Sequence, residues 1–376
     1  MPKLKIGLVC PYNITIAGGV QSIVLLLADQ LNAMGHDTKI LTPRPRNIKK
    51  IKSDNPDIIF IGRSTDFRSP LHTTVQISAS AYNDKINQIL LDQQFDIINL
   101  HEPWVPFLSR QILQRSESVN IGTFHAKIPE SVMTRSLVKV VNPYLKSVIN
   151  NLDGLTACSD SAAEYVRSLT KKPIKIIPNG VNLDNFKSKS DPVKIKKNPE
   201  ILYIGRLETR KGVKYLIEAF NLLNQKHPEV SLIIAGDGPN RNYLKDLTTR
   251  YRLDKVKFLG NVDDTTKVSL LKKSDLFCSP AIYGESFGIV LLEAMASSVI
   301  TVAGDNSGYR DVMKNIGQLS IVNVHDIPSF ASRLEMMLYE KDIRRVWLNW
   351  SQDYIKNFDF KFIVDQYKQY YLDLLA

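Results

Sequence analysis

Two glutamates, Glu285 and Glu293, stand eight positions apart in the stretch YGESFGIVLLEAM, residues 283–295. Between them come Ser286, Phe287 and Gly288, then the apolar run 289–292. The pattern predicts one carboxylate in a loop and a second on the body of the helix that follows. Free N–H groups at such a helix start attract an anion, and the dipole adds about half a positive charge. A diphosphate, or the sugar attached to it, fits there with Glu285 beside it. Glu293 can accept hydrogen bonds from two neighbouring hydroxyls, such as those of a ribose. The same spacing also suits a dipole-favoured acid followed by a surface glutamate, so spacing alone leaves both open.

Two further loops carry anion chemistry. In YIGRLETRKG, residues 203–212, a β-branched run delivers Arg206, and Lys211 directly precedes Gly212. Cations at a helix N-terminus oppose its dipole, which makes sense when a bound anion lies between them. Arginine offers phosphate oxygens a fork and lysine a point charge. A solvated loop that also holds Glu208 and Arg210 is the alternative. In CPYNITIAGGVQS, residues 10–22, Gly18 and Gly19 open another helix. They let an anion approach the N–H groups, or they are plain turn glycines. The stretch is not a G-x-G-x-x-G fingerprint, which counts against a dinucleotide oxidoreductase.

Such loops need a scaffold that presents several strand ends together. Short β-branched runs recur: KIGLVC, TKILT, DIIFIG, TTVQIS, DIINL, VNIGTF, GLTAC and IKIIPN in the first half, then ILYIG, SLIIAG, VKFLG, DLFCS, VITVAG and LSIVN. Amphipathic segments separate many of them. In GVQSIVLLLADQLNAMG, Val20, Ile23, Val24, Leu27, Ala28 and Leu31 share one helical face, and Gly35 follows as a C-cap. The alternation predicts an α/β protein of two Rossmann-like, doubly wound domains with parallel sheets, facing across a cleft. The expected bounds are 1–186 and 201–350, joined by the polar linker 187–200 (KSKSDPVKIKKNPE), with a C-terminal segment 351–376. In open parallel sheets ligands bind outside the carboxyl ends of strands, so function belongs to the loops after strands.

Composition agrees. A chain of 376 residues exceeds one ordinary core, and 44% apolar residues suit packed domains. The net charge of +11 is compatible with nucleic acid, acidic lipid or a phosphorylated substrate. No nucleic-acid module or interleaved aromatic pattern accompanies it, so no nucleic-acid partner is expected. Cys10, Cys158 and Cys278 lie in or beside apolar runs without disulfide or zinc spacing, and read as core residues in a reducing compartment. No apolar run reaches the roughly 18 residues that span a bilayer, and Pro11 and Asn13 interrupt the first apolar patch too soon for a signal peptide. The expected location is cytoplasmic, with attachment to the inner membrane face left open.

With these residues in place, the sequence resembles the retaining glycosyltransferases of family 4, which have the GT-B fold. Glu285 and Glu293 match the family's paired-glutamate signature. PYNITIAGGVQ, HEPWVP, TFHA, IPNGV, GRLETRKG, GDGP, GNVDD, YGESFGIVLLEAMA and SGYRDVM follow in the family's order over essentially the whole chain. Within the family it looks most like the phosphatidylinositol mannosyltransferases, which use GDP-mannose. The resemblance implies an N-terminal acceptor domain, a C-terminal nucleotide-sugar domain and a last helix, KFIVDQYKQYYLDLLA, that crosses back to the first domain. It implies that Gly18 and Gly19 hold the donor diphosphate from the N-terminal side. Arg206 and Lys211 then neutralise it and the charge growing on the leaving group. Glu285 contacts the donor sugar, Phe287, Gly288 and Ile289 give backbone contacts, and Glu293 binds the ribose. His125 lines the reaction centre near the acceptor, and Tyr12 sits on the acceptor side. The chain has no convincing D-x-D site, so no metal and no cofactor beyond the sugar nucleotide is expected.

Donor and acceptor are less closely specified. Val262, Asp264 and Lys267 in GNVDDTTK match GDP-mannose enzymes, and Asp264 can accept from N1–H and N2–H of guanine. Asp263 or Asp264 can equally cap the following helix. Segment 127–150 sets Arg135, Lys139 and Lys146 beside Val132, Met133, Leu137, Val138, Val141, Leu145 and Val148. That pattern suits an anionic membrane surface, as does PRPRNIKKIK at 43–52, or else a core-facing helix and a solvated charge run. Two departures bear on the acceptor. LHTTVQISAS lacks the closely spaced arginines of the phosphatidylinositol enzymes, although Arg63 and Arg68 precede it, and Thr15 replaces an acidic residue. The acceptor is therefore a lipid or a glycan. The alternatives are a UDP-sugar enzyme acting on diacylglycerol, a polysaccharide intermediate or a small molecule, and a non-catalytic sugar-nucleotide-binding protein. His101 and Glu102 read as the end of a buried strand, and Trp347 and Trp350 as packing.

Overall fold

The computed structural model describes residues 3–16, 18–45, 55–68, 74–80, 83–127, 135–186 and 194–376, with only the backbone at 66–68, 74–75, 78–80 and 135–141. The chain divides into two compact units, Met1–Asn179 with Lys361–Ala376, and Gly180–Phe360. The sequence placed the start of the returning segment at 351. Helix Lys341–Tyr354 runs through that position, and the division falls ten residues later.

The first unit is built on strands β1 (Lys5–Val9), β2 (Asp37–Arg44), β3 (Ile58–Arg68), β4 (Thr74–Ser80), β5 (Ile97–His101), β6 (Val119–Phe124), β7 (Gly154–Ala157) and β8 (Lys175–Ile176). They lie in the order β4-β3-β2-β1-β5-β6-β7-β8. The order reverses between β1 and β5, so the loops after these strands flank a topological switch point. β5 and β7 are buried along their whole length, as apolar strands covered on both faces must be. Helix Gly19–Ala33 buries Ile23, Val24, Leu27, Ala28 and Leu31, the face its periodicity predicts.

One strand departs from the parallel pattern. β4 pairs antiparallel with β3 at the sheet edge. Only residues 69–73 separate the two, and a parallel return needs a crossover of a dozen or more residues. This hairpin reaches back to the loop after β1. Tyr12 bridges Ile77, and Asn13 bonds to Gln76 through both backbone and side chain, each at 2.9 Å. Thr42 Oγ1 donates to the Tyr12 carbonyl at 2.8 Å.

Helix Phe360–Leu375 closes the first unit, burying Ile363, Val364, Tyr367 and Tyr371 at helical spacing. Its hydroxyls satisfy polar groups inside the sheet. Asn99 Nδ2 donates to Tyr371 Oη at 2.8 Å, Thr123 Oγ1 donates to Asn99 Oδ1 at 2.7 Å, and Leu155 N–H donates to Tyr370 Oη at 2.9 Å.

The second unit carries β9 (Glu200–Ile204), β10 (Ser231–Ala235), β11 (Val256–Gly260), β12 (Leu276–Ser279), β13 (Ile300–Gly304) and β14 (Ile321–Val322), all parallel, in the order β11-β10-β9-β12-β13-β14. Here the order reverses between β9 and β12. The segments after them, 205–212 and 280–288, are two of the loops singled out in the sequence. Replacing Tyr371 by Phe strands the buried Asn99 Nδ2 donor. Equilibrium urea unfolding is expected to show the first unit about 1–3 kcal/mol less stable; an unchanged midpoint removes this bond from the stability of the unit.

Candidate active site

Five charged side chains meet where the loops after β9 and β12 adjoin. Arg206 Nε lies 3.1 Å from Glu208 Oε1, and Arg210 Nε lies 3.0 Å from Glu208 Oε2. Arg210 Nη1 and Lys211 Nζ both reach Glu285 Oε1, at 2.8 and 2.7 Å. The charges alternate along this chain, and both ends are positive. The Glu208, Arg210, Lys211 and Glu285 side chains are largely shielded, whereas that of Arg206 is 49% exposed. Burial pulls the Arg210 guanidinium down, but Glu285 and Glu208 outweigh it and hold it above its ordinary value.

Backbone geometry locks the two loops together. Ile282 N–H donates to the Arg210 carbonyl at 2.8 Å. Gly212 has φ +69, and a Cβ there would lie 2.0 Å from the Pro280 carbonyl oxygen, so no other residue fits. Gly288, at φ +94, opens helix Ile289–Ala296, and a Cβ on it would meet the Tyr309 ring at 2.6 Å. Two buried tyrosines support the site from below: Tyr203 Oη donates to the Arg206 carbonyl at 2.9 Å, and Tyr309 Oη shares a hydrogen with Ser279 Oγ at 2.7 Å. Burial first, and then the Glu285 charge, holds both phenols well above their usual value.

A second group lies on helices Ile289–Ala296 and Asp264–Lys273. Glu293 is buried, and its Oε1 accepts from Lys267 Nζ at 2.7 Å, while Lys267 also reaches Asp264 Oδ1 at 2.9 Å. Burial raises the Glu293 carboxyl, with Lys267 opposing. Glu293 is thus not a surface glutamate. The helix cap is Asp263, whose carboxylate accepts from Thr266 N–H at 2.7 Å. Asp264 stands in the first turn with its carboxylate almost fully exposed, and Val262 is half-buried. The Phe287 ring packs edge-on against Phe358, so its side chain belongs to the core, and Ile289 begins the helix.

In the first unit, three strand ends bring Tyr12, His101, Glu102 and His125 into one neighbourhood. His101 Nδ1 and His125 Nε2 are 2.8 Å apart with stacked rings, and the Asn179 side chain also bonds to His125. Glu102 Oε1 accepts from His125 N–H at 2.6 Å and Ala126 N–H at 2.7 Å. Burial pushes the His125 imidazole down to about 4 and the Glu102 carboxyl up to about 7. Gly18 caps helix Gly19–Ala33 in extended conformation; residue 17 beside it is not among the described residues.

The membrane candidates resolve only in part. Helix Arg135–Asn150 exposes Lys146, but Leu145 and Val148 turn inward and are buried, so they are core residues of the first unit. The side chains of Arg135 and Lys139, residues 128–134 and most of the run 43–52 lie outside the described residues. Among the described residues no helix is long and apolar enough to cross a membrane, and no group of three or more His, Cys, Asp or Glu is placed to hold a metal ion. The three cysteines are free and buried.

Two parallel-sheet α/β units, each with its loops beside a reversal of strand order, define the GT-B class of glycosyltransferases. Residues 17–185 match the model for Glycosyltransferase Family 4, and 184–352 that for Glycosyl transferases group 1. The chain belongs to glycosyltransferase family 4. It is 30% identical to the phosphatidyl-myo-inositol mannosyltransferase of Mycolicibacterium smegmatis, over 98% of this chain and 93% of that protein. Among solved structures it is similar to sucrose-phosphate synthase from Thermosynechococcus elongatus, with a TM-score of 0.78 at 21% identity over 99% of both chains. It is also similar to Anabaena HepE in complex with UDP and glucose, with a TM-score of 0.76 at 16% identity over 97% of this chain and 98% of that one.

The sequence assigns no role to Arg210 and Glu208, which appear there only in the alternative of a solvated loop, and reads Glu102 as the end of a buried strand. All three touch the residues it did single out. Arg210→Met leaves Glu208 and Glu285 shielded with half their cations. The second unit is expected to lose about 3 kcal/mol in chemical denaturation; a loss under 1 kcal/mol means that solvent replaces the guanidinium.

Proposed function

We propose that this glycosyltransferase moves a hexose, mannose from GDP-mannose, to a lipid or glycan acceptor, with retention at the anomeric carbon and without a metal. The observation that carries the reading is the alternating chain of Arg206, Glu208, Arg210, Glu285 and Lys211. Three cations against two carboxylates leave one positive charge at the carboxyl end of β9. A diphosphate supplies the matching charge there, and Arg206 is the exposed end that meets it. As the bond between the anomeric carbon and the diphosphate oxygen breaks, negative charge grows on that oxygen, and Arg206 and Lys211 stabilise it without reorganising. The acceptor oxygen bonds to the same carbon, and the nucleoside diphosphate departs. Glu285, its Oε1 held by two cations, presents its other oxygen to the sugar, and Glu293 takes the ribose hydroxyls. Gly18 and Gly19 contribute N–H groups to the diphosphate, the backbone around Phe287, Gly288 and Ile289 completes the donor contacts, and Tyr12 and His125 serve the acceptor.

The mannosyltransferase named among the relatives supports mannose as the sugar, and the guanine reading places Val262, Asp264 and Lys267 around the base. A UDP-sugar donor is the second reading. Lys267 already holds the Asp264 carboxylate that would read guanine, and the similar HepE structure contains UDP. An anionic membrane surface carrying the acceptor would meet Lys146, with Arg135 and Lys139 on the same helix.

Lys211→Ala is expected to lower kcat about 10²–10³-fold, the range for removing one transition-state charge partner, with circular dichroism unchanged. Wild-type turnover in that variant would take Lys211 out of the mechanism. Calorimetric titration should show GDP binding at least about tenfold tighter than UDP, a difference of about 1.4 kcal/mol. Tighter UDP binding would replace the guanine reading with the second one.

A further inference from the structure

We propose that Glu102 is a positioning residue for the acceptor side of the reaction, holding His125 and Ala126 in place through a single carboxyl oxygen. The proposal rests on the reading that puts His125 at the reaction centre.

Four observations converge on this side chain. First, it is fully buried, so it cannot touch an acceptor and must act through another group. Second, its Oε1 accepts two consecutive backbone N–H groups, those of His125 and Ala126, just past the end of β6. That fixes the direction in which the chain leaves the strand and hence where the His125 side chain sets out, its ring meeting His101 Nδ1 through Nε2. Third, Glu102 has φ +53, a left-handed conformation that side chains other than Gly, Asn and Asp rarely adopt. Its own N–H donates to the Thr123 carbonyl at 2.8 Å, and its carbonyl accepts from Val105 N–H at 2.9 Å, so the strained backbone is pinned on both sides. Strain of this kind persists where the surroundings over-determine it, and it concentrates at functional sites. Fourth, the half-buried Tyr12 phenol is raised first by burial and then by the Glu102 charge, so the carboxyl stands near both residues assigned to the acceptor.

Oε1 accepts whether or not the carboxyl carries a proton, because a proton can reside on Oε2. That second oxygen is buried, and the Trp104 side chain also bonds to the carboxyl. The hold on His125 therefore needs the shape and acceptor capacity of the side chain and not its charge, which separates positioning from proton transfer.

The test compares Glu102→Ala with Glu102→Gln in the full chain, measuring kcat, acceptor KM and the pH–rate profile with the best donor. Alanine abolishes the hold and is expected to lower kcat on the order of 10²-fold, the scale of an ångström of misplacement near reacting atoms. Glutamine keeps an acceptor oxygen and is expected to restore kcat to within about threefold of wild type, with the same pH–rate profile. Glutamine as damaging as alanine, or a limb near neutral pH that disappears in Glu102→Gln, overturns the proposal in favour of a proton-transfer role. Alanine with unchanged kcat also overturns it. If Glu102→Ala does not fold, the glutamine variant and its pH profile decide alone. His125→Ala separates this inference from the reading beneath it. If that variant keeps wild-type kcat, the assignment of His125 fails; if it loses activity while Glu102→Ala does not, only the present inference fails.

Discussion

One carboxylate oxygen organises the second unit. Glu285 Oε1 holds Arg210 and Lys211, two cations adjacent in the chain that would otherwise repel. A pair of unit charges at about 4 Å is worth on the order of 4 kcal/mol at the effective dielectric of a protein surface, so the sign pattern decides which arrangement survives. Glu208 repeats the device between Arg206 and Arg210. The loops after β9 and β12 can approach because Gly212 has no side chain, and once together they bring the charges into register. Packing and electrostatics thus depend on each other, since without Gly212 the loops separate and without Glu285 the cations do.

The readability of the sequence followed the range of the interaction. Strands and helices were legible from local periodicity, as in helix Gly19–Ala33, whose buried residues are those on the predicted face. Asp263, one of two proposed caps, took the role that three-residue spacing to Thr266 allows. The direction of β4 was not read, although the short stretch 69–73 carried the signal. Arg210 was not legible at all, because its burial comes from a loop more than seventy residues away, and a neighbouring lysine in the same run looks no different. Glu285 and Glu293 could be picked out by spacing, but their partners Arg210 and Lys267 arrive from other elements of the second unit.

The first unit handles polar groups differently. Its sheet interior holds Asn99, Thr123 and Thr156 in a chain of hydroxyl and amide bonds, capped by Tyr371 from the C-terminal helix. Unpaired, each such group would oppose folding; paired, they fix the docking of that helix more specifically than apolar contact alone. His101, Glu102 and His125 carry buried polar groups to the strand ends as well, but there His101 Nε2 has no hydrogen-bond partner among the described residues and Glu102 holds a strained backbone.

The interleaved order of the two units has a consequence for biogenesis. On the ribosome the segment carrying Tyr367 and Tyr371 emerges only after all of residues 180–360. The earlier-made sheet must therefore wait, with Asn99 unsealed and its apolar face open, while the later-made one is completed. Vectorial synthesis cannot finish these units in the order in which they begin, and the newborn chain is most exposed to aggregation during that interval.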